Sequence, residues 1–129
     1  MVQRINSSKL SKPPGYSHVV VASGSRLVTP AGAVPLDAEA NLVGPGDYLA
    51  QTRRAISNLE VALEAVGATA RDVLKTTVYV VSERRSDLSA VWGVVQESEM
   101  ADAASTLLGV SLLGYEGQLV EIEAIAVLE

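Results

Sequence analysis

Two carboxylates close to the end of the chain are the first candidates for chemistry. Glu121 and Glu123 are two residues apart in the segment LVEIEAIAVL. In a β-strand this spacing places both side chains on one face, about 7 Å apart. Paired carboxylates divide the roles of general acid and general base when their environments differ. A solvated strand end is the alternative interpretation, and for an isolated pair it is the more frequent one.

The other reactive side chains give weaker signals. His18 is the single histidine, and it lies in an apolar segment without a metal-ligand partner, so a structural histidine is expected. Ser105 and Thr106 carry hydroxyls that commonly satisfy local backbone groups, and no signature of an activated nucleophile surrounds them. No glycine-rich segment has the spacing of a phosphate-binding loop. We therefore expect no metal and no cofactor.

The segments around these residues predict a buried sheet. Residues 119–128 carry an unbroken apolar set at period two, and the opposite set ends in Ile125 and Val127. Because both faces are apolar, we expect a central strand. The segment VLKTTVYVV, residues 73–81, predicts a second central strand. One of its faces is expected to hold Leu74, Thr76, Val78 and Val80.

One long helix is expected upstream of these strands. Asp47 is a favourable N-cap, and Gly67 supplies a C-terminal stop. The residues of the inward-facing stripe recur at alternating three- and four-residue spacing: Leu49, Thr52, Ile56, Leu59, Leu63 and Val66. The polar residues off this stripe predict a solvated face: Arg53, Arg54, Asn58, Glu60 and Glu64.

The remaining segments are shorter. Residues 17–31 predict a β-hairpin around a Ser-Gly-Ser turn, with Pro30 marking its second strand as an edge or a bulge. Residues 88–95 predict a second helix, and residues 106–113 another strand. Residues 1–14 predict an N-terminal arm that orders only where it is tied down. Residues 15–129 predict one α+β domain with the element order ββαβαββ.

Composition limits the partners of this domain. The chain has 129 residues, and its 10 basic against 15 acidic side chains give a net charge of -5, which argues against nucleic acid. There is no cysteine, the N-terminal residues are polar, and no segment has the length and apolarity of a membrane span, so we expect a cytoplasmic protein. Two helices cover only one face of a sheet that is apolar on both, so we expect a small cyclic oligomer.

Five segments together carry a resemblance to a known family. They are GYSHVVVASGSRLVTPAGAVP, AQTRRAISNLEVALEAVGAT, DVLKTTVYVV, STLLGV and LVEIEAIAV, in order from about residue 15 to residue 128. They resemble the Rid family, the YjgF-type reactive-intermediate deaminases formerly described as endoribonucleases L-PSP. The resemblance implies a chorismate-mutase-like α+β fold, with two helices on one face of a mixed sheet. It also implies a homotrimer with a small-molecule cleft between adjacent subunits.

The resemblance implies three cleft residues and one reaction. Tyr16 matches the family's N-terminal cleft tyrosine, Gly32 its cleft-lining glycine, and Glu121 the carboxylate that positions water. In the deaminating members an arginine holds the carboxylate of a 2-imino or 2-enamino acid. Water then hydrolyses the imine to a 2-keto acid and ammonia.

Several cleft positions differ from the family pattern. Ser105 occupies the position of the arginine, and Ala31 and Ala33 replace the serine and the glutamine beside Gly32. A hydroxyl offers one neutral hydrogen bond where a guanidinium offers a charged fork, a loss of about 2 to 5 kcal/mol of binding. We therefore expect an arginine-lacking branch of the family, in which archetypal 2-iminobutanoate/2-iminopropanoate deaminase activity is weak.

The expected cleft takes a less acidic or neutral imine, enamine or carbonyl compound. Ser105 and Thr106 would hydrogen-bond the ligand, the backbone of Gly32 and Ala33 would face its polar atom, and Glu121 would serve as base or water anchor. Tyr16 would stack on the ligand or cap it. The alternative is a non-catalytic trimer that binds a metabolite or regulates in response to one. Endoribonuclease activity ranks last, because the chain is acidic.

Overall fold

The structure, a computed structural model, describes all residues, 1–129. Its strands are β1 (Val2–Ile5), β2 (Val19–Ala22), β3 (Arg26–Val28), β4 (Val73–Val81), β5 (Ala104–Val110) and β6 (Val120–Leu128). Its α-helices are α1 (Tyr48–Glu64) and α2 (Arg85–Gln96), and a single 3₁₀ turn, Ala70–Asp72, leads into β4. Strands β1 and β2 form a two-stranded sheet, and the other four form a sheet in the order β3-β6-β4-β5.

The two strands predicted to be central are central. β6 lies between β3 and β4, and β4 lies between β6 and β5. β4 and β5 are parallel and are joined through α2, whereas the other neighbours in this sheet are antiparallel. The inward side chains of β6 are the predicted apolar set, all buried except the half-buried last member: Val120, Ile122, Ala124, Ala126 and Leu128.

A β-bulge corrects the predicted face of β4. The register against β6 shifts between Val73 and Lys75. As a result Val73 turns into the core and is fully buried, while Leu74 stays half-exposed. From Thr76 onward the predicted alternation holds. The sequence period does not reveal the bulge, because the extra residue lies within an uninterrupted β-rich run.

The predicted β-hairpin of residues 17–31 is wrong. β2 pairs with β1, and β3 pairs with β6 at the edge of the larger sheet, as Pro30 indicated. The turn between them runs along the end of β6: the Ser25 N–H donates to the Leu128 carbonyl at 3.1 Å, and a Cβ on Gly24 would lie 2.7 Å from a β6 side chain. The N-terminal arm supplies the partner of β2, and strand pairing orders it there.

Helix α1 begins and ends as predicted. The Asp47 carboxylate accepts the Ala50 N–H at 3.0 Å. Gly67 adopts a φ of +79°, and the N–H that follows it donates to the Leu63 carbonyl, the pattern of a Schellman motif. The middle of the predicted stripe is buried and consists of Thr52, Ile56, Leu59 and Leu63. Its two end residues, Leu49 and Val66, are exposed.

Asn58 corrects the prediction of a uniformly solvated helix face. Its Nδ2 donates to the carbonyls of Val34 and Leu36, at 2.7 and 2.8 Å. Asn58 therefore fastens the segment after β3 to α1, and a polar residue on the outer face of the helix acts as a structural tie. Other members of the predicted face are exposed: Arg53, Glu60 and Glu64.

A buried amide joins three parts of the chain. Gln51 is fully buried on α1, and its Nε2 donates to the carbonyls of Gly44 and Gly117, both at 3.1 Å. Its Oε1 accepts the Leu119 N–H at 2.8 Å. Because buried polar groups need partners, these contacts fix the loop before α1 against the start of β6. No role was predicted for this glutamine from the sequence.

Both helices pack on one face of the four-stranded sheet, as predicted, and leave the other face open. The open face mixes apolar and polar side chains, including Lys75, Tyr79, Glu121, Glu123 and Ile125. At its edge Leu27 is 70% exposed, which is unusual for a leucine on a sheet. None of the helices combines the length and apolar character needed to cross a membrane.

Candidate functional site

A cavity of about 240 Å³ lies between the N-terminal segment, α2 and β5. Two residues predicted for the site, Tyr16 and Ser105, line it together, and the remaining lining residues are Pro14, Trp92 and Leu107. No charged side chain lines the cavity. Its polar groups are therefore hydroxyls rather than ions.

Helix α2 holds the N-terminal side of this cavity in place. The Trp92 Nε1–H and the Gln96 Nε2 both donate to the Pro14 carbonyl, at 2.8 and 2.7 Å. The rings of Tyr16 and Trp92 meet edge to face, with centroids 6.2 Å apart. Because α2 also packs into the core, the cavity wall built from the N-terminal segment is anchored to the main sheet. Sequence reasoning placed Trp92 only within the second predicted helix, residues 88–95.

A second hydroxyl supports Ser105 from the neighbouring strand. Ser105 is opposite Thr76 in the β4–β5 register, and the Thr76 hydroxyl donates to the Ser105 Oγ at 2.8 Å. Thr76 is 1% exposed and has no other side-chain hydrogen bond. Thr106 points to the opposite face of β5, where it accepts from the Lys75 Nζ at 2.7 Å. The structure thus places Ser105, and not the Thr106 side chain, in the cavity.

A second group of predicted residues lies beside β6. Ala33 forms an isolated bridge with Ile122, through an N–H to carbonyl contact of 2.7 Å and a return contact of 3.1 Å. This bridge brings Gly32 against Glu121: a Cβ on Gly32 would lie 2.2 Å from the glutamate Oε2. A side chain at position 32 would therefore displace the Glu121 carboxylate from its present position. Since both backbone groups of Ala33 are engaged, those of Gly32 are the ones left for a ligand, and Ala31 is exposed beside them.

A buried glutamine positions the Glu121 carboxylate. Gln118 is 3% exposed, and its Nε2 donates to the Glu121 Oε1 and to the Val120 carbonyl, both at 3.1 Å. Its Oε1 accepts the Tyr115 N–H at 3.1 Å. One carboxylate oxygen of Glu121 is thus held by an amide, and Oε2 remains available next to Gly32. Sequence reasoning missed Gln118, because it lies in a turn that carries no motif.

The two carboxylates of β6 lie on the same face, as predicted, and have different surroundings. The Tyr79 hydroxyl donates a short hydrogen bond to the Glu123 carboxylate. This hydrogen bond raises the pKa of Tyr79 above its ordinary value, so the phenol stays protonated and keeps donating at neutral pH. Each carboxylate therefore has one oxygen engaged within the chain, and the free Oε2 of Glu121 is the one that lies against Gly32.

The predicted site residues form two separate groups on one chain. We call Tyr16 and Ser105 the serine half-site, and Gly32 and Glu121 the glutamate half-site. Ser105 and Glu121 lie on strands separated by β4, three residues apart along its register and on opposite faces of the sheet. That separation corresponds to about 14 Å between their backbones. A single subunit does not bring the two half-sites together.

His18 has the structural role that the sequence predicted. Its Nδ1 accepts the Ser7 N–H at 3.1 Å, and its Nε2 lies 2.9 Å from the Ser11 carbonyl, which requires the proton on Nε2. The backbone N–H of His18 donates to the Asn6 Oδ1 at 2.9 Å. The neutral imidazole therefore closes the segment that leads to Pro14 and the cavity.

Removing this imidazole is expected to open the segment. In the His18→Ala variant two ring hydrogen bonds are lost, so trypsin should cut the Lys9–Leu10 bond about tenfold faster than in the unmodified chain. Mass spectrometry of a limited digest measures the rate. The Arg26–Leu27 bond, in the paired strand β3, is the internal control and should be cut at an unchanged rate. Equal rates at Lys9 in both proteins would contradict the role given to His18.

The mixed four-stranded sheet, with two helices on one face, is an α+β fold of the YjgF-like class. The family described as "Endoribonuclease L-PSP" matches residues 7–128. The chain therefore belongs to this family, the Rid family that the five sequence segments resembled.

Individual relatives agree with this membership. A RutC family protein of Pyrococcus abyssi is 39% identical over 77 residues, 59% of each protein. Another, from Pyrococcus horikoshii, is 35% identical over 81 residues, 62% of this chain and 63% of that protein, so the chain spans less than two thirds of these curated relatives. The Rid family protein YyfB of Yersinia pestis, of unknown function, is 36% identical with a TM-score of 0.90 over 98% of both chains. A YjgF family member from Mycobacterium tuberculosis is 32% identical with a TM-score of 0.66, over 99% and 100% of the chains.

Proposed function

We propose that this chain forms a homotrimer whose neighbouring subunits join the serine half-site and the glutamate half-site into a small-molecule cleft. The observation that carries the proposal is the separation of these half-sites within one chain. In a cyclic trimer each subunit presents two different surfaces to its two neighbours, so a serine half-site can meet a glutamate half-site at every interface. The open sheet face, with its exposed Leu27 and Ile125, supplies apolar surface for such contacts.

We propose that the cleft hydrolyses a C–N bond of a small imine or enamine. The free Oε2 of Glu121 would accept a proton from water as the water oxygen bonds to the imine carbon. Glu121 would pass this proton to the imine nitrogen, which gives a carbinolamine. It would then take the proton of the carbinolamine hydroxyl and deliver it to the departing nitrogen as the C=O bond forms and the C–N bond breaks, which leaves a carbonyl compound and ammonia or an amine. Ser105 would donate a hydrogen bond to the ligand, and the backbone of Gly32 would contact its polar atom. The steps balance without an oxidant, a metal or a cofactor.

The absence of a cation beside Ser105 supports assignment to an arginine-lacking branch. The cavity lining contains no arginine or lysine. A carboxylate there would meet a neutral hydroxyl in place of a charged fork. The archetypal 2-imino-acid deamination is therefore expected to be slow, and a neutral substrate is favoured.

The Glu121→Gln variant tests this chemistry. If Glu121 is the base, we expect kcat to fall at least about 100-fold while KM changes little, because general-base catalysis is typically worth that much. Ammonia and carbonyl release from a panel of imines generated in the assay gives both constants. Glu123→Gln is the matched control, since Glu123 is held by Tyr79, and it should keep most of the activity. Full turnover by an intact Glu121→Gln assembly would refute the assignment.

A non-catalytic, metabolite-binding trimer is the second candidate. The observation in its favour is that the serine half-site of the proposed cleft is lined by apolar groups and hydroxyls alone. A compound that raises the melting temperature and is recovered unchanged would support binding without turnover.

Endoribonuclease activity is not proposed, because a chain with a net charge of -5 lacks the basic surface that RNA binding requires. A cytoplasmic location is part of the proposal and is supported by the absence of cysteine.

A further inference from the structure

We infer that the cavity beside Ser105 selects an uncharged ligand that combines one aromatic ring with a single hydrogen-bond acceptor, as in an aryl ketone or the imine derived from it. This inference rests on the proposed function, because it names the substrate class of the same cleft. It depends on the size of the cavity, on the nature of its walls and on the direction of the hydrogen bond that Ser105 offers.

The size of the cavity admits one ring and little more. An apolar cavity of about 150 Å³ binds benzene, whereas pockets for drug-sized ligands measure about 300 to 1,000 Å³. The cavity of about 240 Å³ lies between these values. It accommodates a six-membered ring with two or three further heavy atoms. An aliphatic imine of two or three carbons would leave most of it unfilled.

The walls favour an aromatic ring. Tyr16 and Trp92 meet edge to face at 6.2 Å, and Pro14 and Leu107 complete the lining. Edge-to-face and offset contacts between rings contribute about 0.5 to 1.5 kcal/mol beyond the area that they bury. The Trp92 Nε1–H is already donated to the Pro14 carbonyl, so the indole offers the ligand apolar surface rather than a donor.

The hydroxyl pair sets the polarity of the ligand. Thr76 is buried and has the Ser105 Oγ as its one side-chain hydrogen-bond partner, so its hydroxyl proton is satisfied by donation to Ser105, and the proton of Ser105 remains to be donated into the cavity. A carbonyl oxygen or an imine nitrogen accepts it. A carboxylate would also accept it, but the rest of its charge would face apolar walls without a cation, and burying an unpaired charge is costly. Thr76 is thus a positioning residue that makes Ser105 a donor.

Binding of two matched probes, acetophenone and benzoylformate, tests the inference. Both contain an aryl ketone, and benzoylformate has a carboxylate in place of the methyl group. Ligand-observed NMR or calorimetry on the full-length chain measures each Kd. We expect acetophenone to bind at least tenfold more tightly than benzoylformate. Equal or tighter binding of benzoylformate, or no binding of either probe, would overturn the inference.

Three variants locate the binding. Ser105→Ala should weaken acetophenone about three- to tenfold through the lost hydrogen bond. Leu107→Trp should abolish its binding by filling the cavity, and Ser105→Arg should reverse the preference toward benzoylformate. Unchanged acetophenone binding in both Ser105→Ala and Leu107→Trp would place the ligand elsewhere and overturn the inference. If acetophenone binding follows this pattern but the imine of acetophenone is not hydrolysed, the ligand class is supported and the proposed hydrolysis is refuted. Failure of this inference is therefore distinguishable from failure of the proposed function.

Discussion

The Gln51→Met variant is expected to lose about 3 kcal/mol of unfolding free energy, because buried polar groups left without a partner cost about 1 to 3 kcal/mol each. Gln51 makes three hydrogen bonds, to the carbonyls of Gly44 and Gly117 and from the N–H of Leu119. Methionine keeps the volume and the helix propensity of glutamine and removes only the amide. The loss should therefore report the orphaned Gly117 carbonyl and Leu119 N–H, because the Gly44 carbonyl keeps the Asp47 N–H as a donor.

Gln96→Met is the matched control for this prediction. Gln96 is an exposed glutamine on α2 with one hydrogen bond, to the Pro14 carbonyl, which Trp92 also satisfies. Its replacement should cost less than about 1 kcal/mol. Chemical denaturation of both variants at one protein concentration measures the difference, since any assembly makes stability concentration-dependent. Equal losses in the two variants would contradict the bridging role of Gln51.

Periodic sequence patterns predicted the secondary structure correctly for the segments that form the hydrophobic core. The central positions of β4 and β6 and both ends of α1 follow from alternation, from the Asp47 cap and from the Gly67 stop. Sequence patterns were a poor guide to strand pairing near the N-terminus. Residues 17–31 satisfy hairpin rules locally, but β2 pairs with β1, and β3 pairs with the last strand, which no local pattern specifies.

The buried polar residues were within reach of sequence reasoning. Gln51 precedes Ala55 and Leu59 at four-residue spacing, so it lies on their buried line and requires hydrogen-bond partners. Thr76 was expected on the inward face of β4 among apolar neighbours, which likewise signals a partner, and the structure identifies it as Ser105. Gln118 gave no such signal, because its role depends on the fold of a turn.

The distribution of the site residues is beyond sequence reasoning altogether. The resemblance assigns Tyr16, Ser105, Gly32 and Glu121 to one cleft, whereas the fold of a single chain separates them into two half-sites. The separation follows from strand order, because β4 lies between β5 and β6, and from the opposite faces on which Ser105 and Glu121 point. The homotrimer that we propose would reconcile the two.

The chain contains no cysteine, so introduced thiols report these distances without interference. The double variant Ser105→Cys/Glu121→Cys carries one thiol in each half-site. If neighbouring subunits join the half-sites, a short bismaleimide should link each chain to both neighbours. Cross-linking within one chain is blocked by the intervening sheet. The two single variants are the controls, and each should remain uncross-linked beyond a minor background.

Denaturing electrophoresis of the cross-linked double variant is the most direct measurement of the cleft between subunits. The trimeric arrangement predicts a ladder of one, two and three linked chains that stops at three. A product that stays monomeric after both thiols have been modified, or a ladder of equal extent from either single variant, would contradict a cleft shared by neighbouring subunits.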